Sequence, residues 1–183
     1  MNFAVISLNN EKYQELADLT WQQNKVIYAE YNGYNYACKT EGFYGVHMGF
    51  EKYFFIRDLI NEYPNLDWIW FSDSDAMVTN MQAKLEDKID EDYHFIIATD
   101  CHGFHTGSFL FRNSSEGRKF LDLLIEKQPE YNEQWDGEQR VVANLCGFPG
   151  TNDPEWQDIT GVNITNEFKS IVKVVTQLKI KES

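Results

Sequence analysis

The sequence predicts an α/β fold, a single sheet covered by helices. Three observations carry that expectation. Short apolar runs alternate with stretches of helical periodicity along the chain. The run Trp68–Phe71 (WIWF) is apolar at every position rather than at alternate ones, as in a strand buried on both faces. The 183 residues are 43% hydrophobic and 15% aromatic, which suits one domain, residues 1–183, with a sizeable core.

The elements follow in order. FAVISL, residues 3–8, is a short apolar run that stops at Asn9-Asn10, the pattern of a buried first strand. A helix is expected from Lys12 to about Ala29, with Leu16, Leu19, Thr20, Gln23 and Ile27 on one face and Gly33 just beyond its end. Tyr34 to Cys38 reads as a second strand. Glu51 to Tyr63 is a helix with Phe54, Phe55, Asp58, Leu59 and Glu62 at 3–4 spacing, ended by Pro64. WIWFS follows as a central strand. His94 to Thr99 and Thr106 to Phe111 are further strands. Ser114 to Lys127 is an amphipathic helix, with Phe120, Leu121, Leu124 and Ile125 inward and Pro129 as its stop. Asp136 to Leu145 is a helix closed by Gly147, Asn152 to Asn166 a loop, and Ile171 to Val175 a last strand.

Composition excludes several classes. A net charge of −13 repels phosphate backbones, so no nucleic-acid partner is expected. Cys38, Cys101 and Cys146 are odd in number and widely spaced, which makes neither a disulfide framework nor a zinc knuckle; they read as small buried hydrophobes. MNFAVISLNN is too short and polar for a signal peptide, and no window approaches the ~20 apolar residues of a membrane span. The expectation is a soluble, cytoplasmic protein.

The chemistry concentrates in WIWFSDSDAMVTN, residues 68–80. In extended chain, residues two apart point the same way, so Asp73 and Asp75 can converge. They lie where an apolar strand stops, and open α/β sheets bind ligands at the carboxyl ends of their strands. Hard carboxylate oxygens suit Mn²⁺ or Mg²⁺, ions that keep positions open for substrate phosphates. Without a cation the two carboxylates repel each other. An EF-hand is excluded, because Met77, Val78 and Lys84 stand where that loop needs an oxygen ligand, Gly and Glu. A dehalogenase-type phosphatase also uses an Asp-x-Asp after an apolar strand, with the first Asp as nucleophile. That motif ends the first strand of its fold, whereas about seventy residues precede it here.

Four blocks add to this reading: EKYFFIRDLINEYPNLDWIWFSDSDAMVTN, HTGSFLFRNS, WDGEQRVVANL and KVVTQ. Together, over roughly Glu51 to Gln177, the sequence resembles the GT-A glycosyltransferases, and within them the galactosyl/mannosyl/xylosyltransferase family 34. The resemblance implies a GT-A-like, Rossmann-type mixed sheet flanked by helices. It implies an enzyme that transfers a sugar from a nucleotide-sugar donor, a UDP-sugar, to a glycan or other hydroxyl acceptor with retention. Mn²⁺ (or Mg²⁺) would be held by Asp73 and Asp75. Ser7, Asn9, Lys52, Asp73, His105, Thr106, Gly107 and Ser108 would contact the donor. Glu138 and Gln139, with Asp136 as an alternative that could instead cap its helix, would face the reacting sugar carbon. Two departures stand out. His105 replaces the family's Asn before Thr-Gly. The family's late metal-binding His also has no counterpart after His47, His94, His102 and His105, so a water or another residue, His105 among them, would fill that position. The alternative functions are a catalytically impaired domain that binds nucleotide-sugar or glycan, and the phosphatase.

Overall fold

The computed structural model describes residues 1–100, 103–134, 136–148 and 164–176. Among the described residues, six strands form one mixed sheet in the order β2-β1-β3-β5-β4-β6. They are β1 (Phe3–Leu8), β2 (Asn35–Lys39), β3 (Trp68–Ser72), β4 (Phe95–Asp100), β5 (Gly103–Arg112) and β6 (Val172–Thr176). The pairs β1–β2, β1–β3 and β4–β6 are parallel, and β5 runs antiparallel to both of its neighbours. The expected mixed sheet flanked by helices is therefore the one observed.

The first helical stretch occupies residues 11–32. After a short 3₁₀ turn it comprises α1 (Gln14–Ala17), a π-helical segment Asp18–Lys25, and α2 (Val26–Asn32). Gly33, at φ 74°, closes it in the left-handed conformation open to glycine. This helix turns a different face inward from the one its leucines suggest. Leu19 and Ile27 are exposed, while Ala17, Thr20, Trp21, Asn24, Lys25, Tyr28 and Ala29 are buried. Aromatic area outweighs that of the aliphatic residues, and the three polar members of the inner face find hydrogen-bond partners beneath it.

Three helices cover the other face: α3 (Met48–Glu62), α4 (Ser115–Tyr131) and α5 (Gly137–Leu145). There Ile69 and Phe71 of β3 pack with Phe54, Phe55 and Leu59 of α3 and Phe120, Leu121 and Leu124 of α4. Phe109 of β5 stacks between Phe71 and Phe95, with ring centroids 5.3 and 4.7 Å away. Trp68 faces the first helix instead, so both faces of β3 are indeed covered.

Pro129 does not stop α4, which runs on to Tyr131. A proline in the last turn forfeits a single backbone bond. The helix end is fastened from outside: Asn132 accepts from the His47 backbone N–H at 2.8 Å, and Asn144 Nδ2 donates to the Tyr131 hydroxyl at 2.7 Å. Cys146 is buried and Cys38 partly so, and burial pushes their thiols up to about 12 and about 11. Cys101 and most of the Asn152–Asn166 loop lie outside the described residues. Among the described residues no helix is long and apolar enough to cross a membrane.

Candidate functional site

Strand direction joins two blocks far apart in sequence. Because β5 is antiparallel, its beginning lies at the edge where β1 and β3 end. Ser72 pairs with Ser108, and the Asp73 N–H donates to the Gly107 carbonyl at 2.8 Å. On the other side of β5, Ile97 pairs with Phe109 but Ala98 pairs with His105. Thr106, Gly107 and Ser108 are thus looped out of that ladder, a bulge that re-aims side chains at the sheet's edge. A β-carbon on Gly107 would stand 2.7 Å from Asp73 Oδ2 and 2.9 Å from His105 Nε2, so a side chain there would drive both away.

Two lysines approach the acidic turn from opposite faces. Lys52 of α3 is 3% exposed; its Nζ lies 3.6 Å from Asp73 Oδ1, donates to the Thr106 carbonyl at 3.0 Å and stands 4.7 Å over the Phe71 ring. Lys25 is fully buried on the first helix and donates to the backbone carbonyl of Asp73. Burial pulls its pKa down to about 8, against the opposing pull of Asp73, Asp75 and Cys38.

Lys25 belongs to a row of such contacts. The Thr20 hydroxyl donates to the Ser74 carbonyl, and Asn24 both donates to the Val78 carbonyl (3.0 Å) and accepts from its N–H (2.7 Å). Asn32 reaches the Met81 carbonyl at 3.0 Å, and the Tyr28 hydroxyl the Ala83 carbonyl at 2.7 Å. The irregular chain from Asp73 to Ala83 is therefore held by the helix that precedes it. Thr20, Asn24 and Lys25 carry no motif. The signal that could have found them is the spacing of Ala17, Trp21 and Tyr28, which marks the inner face.

The first turn of α5 supplies the third part. Glu138 Oε1 accepts from Thr106 Oγ1 at 3.4 Å, and the Glu138 carbonyl accepts from the buried Tyr53 hydroxyl at 3.0 Å. Its Oε2 is buried with no hydrogen-bond partner among the described residues, packed so tightly on Gly49 of α3 that a β-carbon there would come within 2.5 Å. Asp136 stands at the N-cap position but makes no capping bond with its side chain, which accepts instead from Arg140 at 3.0 Å. Gln139 follows, half-buried.

The expected site residues divide accordingly. Asp73, Lys52, His105, Thr106, Gly107 and Glu138 gather around the bulge. Asp75 is exposed on the turn. Ser7 is buried, its hydroxyl donating to the Ser72 carbonyl at 2.7 Å, so it ties β1 to β3. Ser108 turns to the first-helix face, where it accepts from Trp70 Nε1 at 3.0 Å. Asn9 lines a cavity of about 270 Å³ with Gln14, Trp21, Tyr36 and Cys38, and its buried Oδ1 has no partner among the described residues.

Known proteins resemble the chain in both fold and sequence. A glycosyltransferase involved in glycosylation of the major capsid of PBCV-1 superposes with a TM-score of 0.71 at 15% identity, covering 96% of this chain and 82% of that one. GlyE of Streptococcus pneumoniae gives 0.56 at 18% identity, over 96% of this chain and 45% of its own. This is the GT-A architecture. An alpha-1,2-galactosyltransferase of Schizosaccharomyces pombe is 27% identical over 167 residues, 69% of this chain and 44% of its own length. The probable alpha-1,6-mannosyltransferase MNN10 of Saccharomyces cerevisiae is 28% identical over 135 residues, 55% of this chain and 34% of its own. The chain thus spans less than half the length of these curated relatives. The family model described as galactosyl transferase GMA12/MNN10 matches residues 3–90 and 88–148, and both the acidic turn and the Glu138 block fall inside those spans. The chain belongs to the galactosyl transferase GMA12/MNN10 family.

Proposed function

We propose that this chain is a cation-dependent glycosyltransferase domain that takes a sugar from a UDP-sugar and transfers it, with retention, to a hydroxyl group of a glycan or similar acceptor. The observation that carries the reading is the meeting of three sequence blocks at one sheet edge: the Asp73–Asp75 turn, the Thr106–Ser108 bulge and Glu138.

The donor set suits a hard divalent cation. Asp73 Oδ2 is turned toward Gly107 while Oδ1 faces Lys52, and Asp75 presents an exposed carboxylate on the same turn. Among the described residues no three His, Cys, Asp or Glu side chains are grouped closely enough to hold an ion by themselves. That fits an ion, Mn²⁺ or Mg²⁺, whose remaining ligands are diphosphate oxygens. When bound, such a cation stabilises the charge that develops on the departing nucleotide diphosphate. The chain's own groups would do the rest. Lys52 orients Asp73, and Gly107 lets the Asp73 carboxylate and the His105 ring close against the backbone. Glu138, held by Thr106 and Tyr53, offers a carboxylate oxygen to the positive charge that develops at the sugar carbon. The Asn9 cavity would take the base, with the buried Asn9 Oδ1 as an acceptor for its polar edge.

Calorimetric titration of UDP into the protein, with Mn²⁺ and then with EDTA, tests the reading. Binding that requires Mn²⁺ and weakens at least about tenfold in Asp75→Asn is the expected result, followed by release of UDP from a UDP-sugar when acceptor is present. Metal-dependent binding without turnover would leave a donor-binding domain. No metal-dependent binding of UDP or GDP would remove the donor site altogether.

A further inference from the structure

We infer that His105 supplies a nitrogen ligand to the divalent cation, beside the oxygen that Asp73 turns to the same glycine. This rests on the cation-dependent reading above and deepens it.

The inference starts from Gly107. The missing β-carbon at this position marks a small space, and two side chains reach it from different strands. Asp73 Oδ2 comes from the end of β3, 2.7 Å from where the β-carbon would be. His105 Nε2 comes from β5, 2.9 Å from the same point, with Cε1 at 3.0 Å. A carboxylate oxygen and an imidazole nitrogen therefore lie against one glycine.

The remainder of the surroundings divides the labour between the two carboxylate oxygens. Asp73 Oδ1 faces the buried Lys52 ammonium at 3.6 Å, which holds the carboxylate's plane and leaves Oδ2 as the oxygen on the His105 side. The looped-out residues after His105 are what swing the strand so that its imidazole shares a glycine with a residue of β3. Asp75 lies exposed on the same turn, two residues further along.

Ligand chemistry then makes a specific statement about the metal. Mg²⁺ takes oxygen ligands almost exclusively and resists losing its waters, whereas first-row ions such as Mn²⁺ accept imidazole nitrogen and bind N/O sites in a graded order. A seat with one imidazole among its ligands favours Mn²⁺ over Mg²⁺. It also makes His105 the residue that sets this preference.

Paramagnetic broadening and direct metal binding test this without reference to turnover. Mn²⁺ is titrated into the full chain in the presence of UDP, and the histidine ring resonances are followed by NMR. The expected result is selective broadening of the His105 ring, assigned by its loss in His105→Ala, ahead of the rings of His47 and His94. In parallel, Mn²⁺ affinity for the protein–UDP complex, read by electron paramagnetic resonance, should fall about tenfold or more in His105→Ala, while Mg²⁺ affinity changes by less than about twofold. If His105→Ala folds poorly, His105→Asn takes its place in both comparisons. Ligation itself is read in the unaltered protein as a directly bound imidazole nitrogen coupling in pulsed electron paramagnetic resonance of the Mn²⁺–UDP complex, whose absence removes His105 as a ligand. Two further outcomes overturn the inference. Unbroadened His105 resonances beside intact Mn²⁺-dependent UDP binding would remove His105 and leave the glycosyltransferase reading standing. No Mn²⁺-dependent UDP binding at all would take both down.

Discussion

The two faces of the sheet hold the same acidic turn by different physics. On the α3–α4–α5 face the packing is apolar and aromatic, with Phe71, Phe95 and Phe109 stacked at its centre and Lys52 as a buried cation aimed at the Asp73 carboxylate. On the first-helix face, Thr20, Asn24 and Lys25 are buried in order to bond backbone carbonyls of Asp73, Ser74 and Val78. One face fixes a side chain and the other fixes the chain that bears it. Burial of apolar area is non-directional and sets where the strand lies. Hydrogen bonds are directional and set how its end is turned. A site that must present two carboxylates in a given geometry uses both.

That contrast can be broken from either side. The largest effect is expected from Phe109→Ala, which opens a cavity where three aromatic rings meet and should cost about 3–5 kcal/mol in urea unfolding. A cost under about 1 kcal/mol would mean that the apolar face is less decisive than its packing indicates.

Asn24→Ala strips both hydrogen bonds from Val78 and should cost about 2 kcal/mol. It should also weaken Mn²⁺-dependent UDP binding, because the turn loses its tether. Stability lost with UDP affinity intact would separate the tether from the site. Tyr53→Phe removes the donor to the Glu138 carbonyl, and about 1 kcal/mol is expected by the same assay.

Lys25→Met sharpens the comparison through pH. The folded protein holds the Lys25 pKa near 8 against 10.5 for a free lysine, so between those values the unfolded chain keeps a proton that the folded one has released. The contribution of this group to stability therefore rises with pH across that window. Unfolding free energies of protein and variant, compared at pH 7 and pH 9, should shift relative to each other in favour of the unaltered protein. The shift is partial, since only the lower part of that window lies below pH 9. A difference that does not change with pH would mean that Lys25 is not a desolvated cation.

Much of the sheet was legible in the chain. Five of the six strands announce themselves as apolar runs, and WIWF could only be a strand covered on both sides. α3 and α4 were legible from their periodicity, and α5 from the Gly147 that closes it. The first helix misled because Leu19 and Ile27 outweigh Thr20, Asn24 and Lys25 on any hydropathy count, and the partners that justify burying those polar groups sit about fifty residues further along. Pro129 misled because a proline ends a helix by default, and the contacts that carry α4 past it come from Asn144 and the His47 backbone.

For the site the division is similar. Sequence alone determined that an acidic pair closes an apolar strand, and that a Thr-Gly-Ser segment and an acid-bearing helix follow at a distance. The chemistry of a residue type is local, so a sequence can state it. The tertiary structure decided which atoms meet: that β5 reverses direction, that a bulge seats Gly107 against Asp73 and His105, that Ser7 and Ser108 are engaged in structural hydrogen bonds, and that two buried lysines flank the turn. Those facts depend on strand register and on partners distant along the chain, and no window of sequence contains them.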